Sequence, residues 1–422
     1  MPLPSQSAIG LLAFVAIAYL LAERRSEVRT SVVIISLSIQ LGLTLLLTKA
    51  PSSQLFFSAI NSLVLNLEQA TRAGTTFVFG YLGGGVTPFQ TTDHGTSFVL
   101  AFQALPLIIV LSALTSLLNY WRVLPYVIGL IARGLNKLLP MSGAVAFASA
   151  ANIFMGMIES PLFIKPYLTK LSRSELFILM TVGMSTIAGT VMIIYVGFLS
   201  PILPNAAGHL LTASVISVPA AIGIALVMVP AIPIDVPVAE NSAEDKLSDN
   251  QHHSSIDAIV VGTQQGLQLC LQIAALLIVF VALVALVNLI LSSVISDISG
   301  SPMTLERLLA VAMWPFAWLL GIPIEEVSAA SELLGTKLVL NEFIALQTLG
   351  EVGNSTFSPR SILILSYALS GFANLGSLGI LIGGLATMAP QRRAEIIQLA
   401  PKALISGTLA TLLTGAMVGM VH

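Results

Sequence analysis

Long continuous apolar runs recur from one end of this chain to the other, and nothing else in the sequence constrains its fold as strongly. A helix rising about 1.5 Å per residue needs roughly twenty apolar residues to cross a hydrocarbon core about 30 Å thick. Runs suited to that task lie at residues 8–22, 30–48, 97–118, 176–199, 207–229, 267–295, 362–385 and 402–421, and they predict eight transmembrane helices. Charge is correspondingly scarce, with 9% of the 422 residues being Asp, Glu, Lys or Arg, against about 25% in soluble domains. A membrane barrel is excluded, because its strands alternate apolar and polar residues. The chain therefore reads as an all-α polytopic membrane protein. Eighteen basic and twenty acidic residues leave a net charge of −2, too small a positive field to hold a nucleic acid. The single cysteine, Cys270, rules out an internal disulfide framework or a thiolate metal cage.

Arg24, Arg25 and Arg29 follow the first run with no small-residue cleavage site before the second, so that run reads as a retained helix rather than a signal peptide. Residues 54–73 and 122–139 carry charges at intervals that suit amphipathic helices at the membrane interface. Residues 142–171 and 319–349 have the length of re-entrant hairpins, each interrupted in the middle by polar residues or glycine. The polar stretch 233–257, with Lys246 and the pair His252 and His253, reads as a solvated loop dividing the chain in two. If the loop holding Arg24 lies inside, thirteen Lys and Arg residues fall inside and five outside, which puts both termini on the periplasmic side of a bacterial inner membrane.

Parity then fixes the hairpins. A hairpin returns to its own side, and three spans separate the two, so they enter from opposite faces. Each precedes a span broken by glycine and polar residues, at 183–190 and 371–379. Hairpin, broken span, intact span, twice and in opposite senses, is the pattern of an inverted repeat whose ligands bind near the midplane. The expected organisation is 1–96 with N-terminal helices and an interfacial helix, 97–140 with a scaffold helix and an interfacial helix, and 141–232 as the first repeat. The polar loop 233–257, a scaffold helix at 258–300 and the second repeat at 301–422 complete it.

Two acids fall at matching places in the hairpins, Glu159 in NIFMGMIESPL and Glu342 in VLNEFIAL. A carboxylate within an apolar span costs about 2.5–3.5 kcal/mol and needs a cavity, a proton or a partner. The alternative to a functional role is a structural pair with a lysine such as Lys337. Ser160 and Ser185 lie in no G-x-S-x-G elbow, the glycines at 83–85 lack the Gly-Lys-Ser of a phosphate cradle, and His94 and His209 have no partner at ligand spacing. No enzyme chemistry is expected.

The stretches GTTFVFGYL, AANIFMGMIESPL, STIAGT, KLVLNEFIAL and SGFANLGSLGILIGGL, in that order, resemble the concentrative nucleoside transporter family over nearly the whole chain. The resemblance implies a homotrimer of eight transmembrane helices with two re-entrant hairpins, in which a transport domain slides against a scaffold and imports nucleosides with a cation. It implies that Glu342, Asn374 and Ser377 hold the ribose hydroxyls. Glu159, Met157, Ile158, Val191 and Phe372 are expected toward the base, although Phe372 and Val191 taken alone read more readily as plain packing. The family's cation site matches the side chains of Asn152 and Thr186 with carbonyls of Met155, Thr186 and Ile187, and sodium is expected rather than a proton. The alternative for Asn152 and Thr186 is simple capping of broken helices. The chain departs from the family's G-Q-[TS]-E hairpin signature with Gly156, Met157, Ile158 and Glu159, so base preference does not transfer. A proton-coupled carrier with altered base preference, and a channel or exporter on the same scaffold, stay open as rival readings.

Overall fold

A computed structural model describes residues 2–89, 99–231, 253–294 and 304–422. Most of the expected polar loop, His94, His252, the start of the third run and the expected domain boundaries at 96, 232 and 300 lie outside those residues. The described chain is helical throughout: α1 (Leu3–Leu20), α2 (Thr30–Lys49), α3 (Pro51–Phe79), α4 (Pro106–Tyr120, preceded by one turn at Leu100–Gln103), α5 (Val123–Leu138), α6 (Gly143–Ala151), α7 (Glu159–Leu162), α8 (Arg173–Ser185), α9 (Gly189–Leu199), α10 (Ala206–Met228), α11 (Ser255–Val294), α12 (Leu305–Leu319), α13 (Ile324–Val339), α14 (Glu342–Thr356), α15 (Pro359–Leu369), α16 (Leu375–Met388) and α17 (Arg393–Val421). Seven segments among these residues are long and apolar enough to span a membrane, and the eighth expected span is present as the shorter apolar pair α15 and α16.

Several elements differ from the sequence reading. Helix α1 starts at Leu3, five residues before the apolar run, because Gln6 and Ser7 satisfy their polar groups on the carbonyls of Trp318 and Leu320. The expected interfacial segment 54–73 is a longer helix, α3. Helix α11 is 40 residues long, so Asp257 stands in its first turn rather than in the polar loop, and its carboxylate accepts the backbone N–H of His253 at 2.9 Å. Helix α12 was not anticipated. It ends at Leu319, where the expected second hairpin begins, and that hairpin proper is α13 and α14, running from Ile324 to Thr356 after a turn in which Gly321 has φ +87°. Helix α17 begins at Arg393, ahead of the predicted 402, and carries Pro401 within it. The breaks are tighter than predicted, leaving residues 186–188 between α8 and α9 and 370–374 between α15 and α16.

Helices α8, α10 and α17 pack on one another at the centre, with α1 and α15 against α17 and α2 against α10. The most apolar windows of α8–α9 and of α10 are each 89% buried, while that of α11 is 6% buried. The core therefore lies in α8 to α10, and α11, paired lengthwise with α4, presents its aliphatic face outward. Mirrored glutamates pin the two hairpins to the spans that follow. Glu175, in the first turn of α8, accepts the N–H of Ser142 at the start of α6 at 3.0 Å. Glu326, in the first turn of α13, accepts both the N–H and the hydroxyl of Ser358 at the start of α15. The glutamate sits on the broken span in one repeat and on the hairpin in the other.

At one end of the bundle Glu23 ties the α1–α2 connection to the core. Arg173 grips its carboxylate with two bonds, Nη2 to Oε1 at 2.8 Å and Nε to Oε2 at 3.1 Å, and Lys402 adds a third at 2.6 Å. The Arg173 hydrogen bonds, with help from Lys402, hold the Glu23 carboxyl at about 2, below its ordinary 4.5. A carboxyl whose pKa is depressed on folding stabilises the fold above its unfolded pKa and loses that contribution as pH falls toward the folded one. Glu23→Gln is expected to destabilise the detergent-purified protein at neutral pH by on the order of 1 kcal/mol, read as a lower thermal midpoint. The gap between wild type and variant should close as the pH is taken from about 4.5 to about 2; a gap independent of pH would remove the ion pairs as its cause.

Candidate functional site

Two constellations form where the hairpins meet the broken spans. In the first, α6 is a run of small side chains, GAVAFASAA, that lets the hairpin bury itself almost completely before it stops at Asn152. Asn152 Nδ2 donates to Thr186 Oγ1 at 2.8 Å, and Ser160 Oγ donates to Asn152 Oδ1 at 2.9 Å. Thr186 in turn donates to the carbonyl of Val182, in the last turn of α8, at 3.0 Å. Gly189 donates its N–H to the carbonyl of Phe154 at 3.0 Å, and a Cβ there would approach that oxygen to 2.7 Å, so only glycine allows this contact between hairpin and break. Asn152, Thr186 and Ile187 are each about 1% exposed, and Met155 is half-buried on the same turn. The side-chain oxygens gathered here are neutral amide and hydroxyl groups beside a half-helix carbonyl end, a donor set suited to a hard alkali cation.

The second constellation centres on Glu342, the first residue of α14, behind Asn341, whose side chain caps the helix by accepting from Ile344 N–H at 2.9 Å. Tyr195 Oη donates to Glu342 Oε1 at 2.7 Å and Asn374 Nδ2 donates to Oε2 at 2.8 Å. Asn374 Oδ1 accepts the N–H of Ser377 at 2.7 Å, capping α16. Both ends of the Asn374 amide are thus committed, and the carboxylate, amide and helix start form one rigid unit. Glu342, Asn374, Ser377, Phe372 and Val191 are all buried. A carboxylate beside an amide can accept from and orient a vicinal diol.

The two constellations touch. Phe372 donates its N–H to the carbonyl of Thr186 at 3.3 Å, and a Cβ at Gly371 would fall 2.8 Å from the carbonyl of Ser185. The breaks of the two repeats therefore cross, with the Asn152–Thr186 cluster on one side and the Glu342–Asn374 unit two residues beyond Phe372 on the other. Glu159 is half-buried and turns back on its own hairpin, its Oε2 lying where a Cβ of Gly156 would be. Met157 packs toward Gly183 of α8 and Ile158 toward Gly384 of α16.

Sequence reasoning missed Tyr195 and Ser160 as members of these clusters. The signal was present: Tyr195 is the lone hydroxyl in the otherwise apolar stretch from Val191 to Leu199, and a buried tyrosine hydroxyl requires a partner. Lys337, offered as the alternative structural partner of an acid, hydrogen-bonds to the carbonyl of Ala368 and to Thr411 Oγ1, both at 2.9 Å. His209 is a packed histidine, with Nδ1 3.0 Å from Tyr367 Oη and its ring edge-on to Phe57. No group of three or more His, Cys, Asp or Glu that could hold a metal occurs among the described residues.

Comparison with known proteins bears on the family and the fold. Family models described as "Na+ dependent nucleoside transporter" match the chain at residues 9–82 (N-terminus) and 209–419 (C-terminus), and a "Nucleoside recognition" gate model matches 101–202. An uncharacterized transporter of Bacillus subtilis, YutK, is 36% identical over 98% of both chains. The nucleoside permease NupC of Helicobacter pylori is 33% identical over 98% of this chain and 97% of its own length. The solved structure of CNTnw in an inward-facing substrate-bound state superimposes with a TM-score of 0.89 at 31% identity, covering 99% of this chain and 97% of that one, and a doubly substituted CNTnw in an outward-facing state fits equally well at 0.89. With matched models across both halves, full-length relatives and the same helical architecture, the chain belongs to the concentrative nucleoside transporter family, a family of membrane transporters rather than enzymes.

Proposed function

We propose that this protein imports nucleosides by symport with sodium, that Glu342, Asn374 and Ser377 hold the ribose, and that Glu159, Met157, Ile158, Val191 and Phe372 line the base. Asn152 and Thr186, with carbonyls of Met155, Thr186 and Ile187, hold the cation. The observation that carries the reading is the crossing of the breaks, where the Phe372 N–H rests on the Thr186 carbonyl. An ion drawing in the oxygens around Thr186 would fix the backbone from which Phe372 and Asn374 project. A nucleoside on Asn374 and Glu342 would in turn fix Thr186 for the ion. Each ligand thereby favours the same arrangement of the breaks, which is the requirement for coupling. In this chain sodium would supply only charge and coordination; the protein's groups bind, orient and exclude water. The transport domain would carry this core past α4 and α11 in an elevator movement. The outward aliphatic face of α11 fits the lipid bilayer and a homotrimer, set in a bacterial inner membrane with both termini periplasmic. CNTnw is known inward-facing and, in substituted variants, outward-facing, which supports alternating access here.

Reconstituted protein should accumulate labelled nucleoside against its gradient, whereas a channel would only equilibrate it. Glu342→Gln should abolish uptake in protein that still folds, and Tyr195→Phe, which removes one bond to the Glu342 carboxylate, should raise KM by about tenfold. Transport by Glu342→Gln at the wild-type rate would end the ribose assignment.

For the cation, sodium should lower the apparent nucleoside constant, and nucleoside should raise sodium affinity by the same factor. Asn152→Ala should weaken the sodium response and leave slower uptake at saturating salt. Uptake that ignores replacement of sodium by choline yet collapses when a proton gradient is dissipated would transfer coupling to Glu159 or Glu342.

A further inference from the structure

One buried charge is unused by this mechanism. Lys337, in the last turn of α13, is 2% exposed, and its ammonium donates to the Ala368 carbonyl and Thr411 Oγ1, both neutral. A buried ammonium without a hydrogen-bonded carboxylate is costly and persists only where a specific arrangement compensates it. The arrangement here is a helix end. Ala368 lies one residue before the end of α15, so its carbonyl belongs to the negative end of a half-helix that stops inside the bundle. In the first repeat the corresponding half-helix, α8, also stops inside the bundle, at Ser185, with the Val182 carbonyl and the neutral oxygens of Thr186 and Asn152 around its end.

The two repeats thus present two half-helix carbonyl ends at the crossing of the breaks. We propose that Lys337 is a positioning residue for transport: a tethered amine that serves the α15 end from within the chain, where the proposed coupling ion would serve the α8 end. The ammonium joins hairpin helix α13 to α15 and α17 at the point where α15 gives way to residues 370–374. Gly371 sits directly against the same Thr411, which its Cβ would meet at 2.5 Å. Phe372 and Asn374 follow within three residues. Lys337 therefore sets the path of the backbone that brings Asn374 to Glu342, five residues along from the lysine itself. Sequence alone offered Lys337 as a candidate counter-ion to an acid; its hydrogen bonds go to the end of α15 and to Thr411, while Glu342 lies near enough to attract its charge.

This inference rests on the nucleoside reading, and the experiment separates the two. Nucleoside uptake is measured in proteoliposomes as KM and Vmax for wild type, Lys337→Met, Lys337→Arg and Thr411→Val, each taken from a monodisperse preparation. Lys337→Met, which keeps the apolar stem and removes the charge, should raise KM by about tenfold or more with a smaller fall in Vmax. Lys337→Arg should stay within about threefold of wild type, because it keeps a donor and the charge. Thr411→Val removes one acceptor without touching the charge and should raise KM by about threefold, which decides the matter if Lys337→Met does not fold. A purely structural lysine would reduce the yield of folded protein and leave KM where it was. Wild-type KM in folded Lys337→Met, or in Thr411→Val when the former cannot be made, overturns the role of Lys337 alone. A wild-type protein that takes up no nucleoside would instead defeat the functional reading itself.

Discussion

Wherever a helix stops inside an apolar bundle, it releases backbone groups that lipid cannot satisfy, so the protein must supply every partner itself. The rest of this structure depends on how that requirement is met at the two breaks. At the first, Thr186 and Asn152 close over the end of α8, and the Phe154 carbonyl takes the N–H of Gly189 at the start of α9. At the second, Lys337 takes the end of α15, and the Asn374 side chain caps the start of α16. The breaks then satisfy each other through the bond from Phe372 to Thr186.

Polar chemistry is concentrated at this crossing because the helix interruptions create both the need for it and the room. An unbroken span through the same apolar surroundings would have no use for Asn152, Thr186 or Asn374. Once the half-helix ends exist, neutral oxygens beside a carbonyl end suit a cation, and a carboxylate fixed by Tyr195 and Asn374 suits a diol. The same hydrogen bonds that hold the fold together place the groups proposed to bind. On the proposed reading stability and ligand binding share these bonds, so single hydroxyls such as those of Tyr195 and Thr411 would bear on both.

Around the crossing the molecule is graded. Helices α8, α10 and α17 carry small and aliphatic residues and are packed on all sides, whereas α11 keeps a long outward aliphatic surface. Mirrored glutamate pins at Ser142 and Ser358 hold the outer ends of the hairpin and span pairs, far along each element from the breaks. Each pair is thus fastened at its outer end and interlocked at its inner end. That arrangement suits a core moving as one body more than a set of independently flexing helices.

Much of this was legible in the sequence, because hydrophobic length and the positions of lone acids are local properties. The apolar runs, the paired hairpins, the breaks and the lone acids such as Glu342 could be read from residue order, whereas the candidates Asn374, Asn152 and Thr186 came with the family resemblance. Helix limits were less legible. Gln6 and Ser7 look like the polar edge of α1 until Trp318 and Leu320 supply acceptors more than three hundred residues away. Helix α12 is masked by its own amphipathic mixture of Glu306, Arg307 and two tryptophans. Tyr195 and Lys337 were visible as residues, but the partner of each is fixed by packing: Tyr195 meets Glu342 147 positions away, and Lys337 meets Thr411 74 positions away. The sequence by itself determined which segments cross an apolar phase and which of them must break there, since burial length and unsatisfied backbone follow from composition along the chain. Only the tertiary structure decided which half-helix end each polar side chain serves, because that depends on two breaks from opposite halves of the chain meeting at one point.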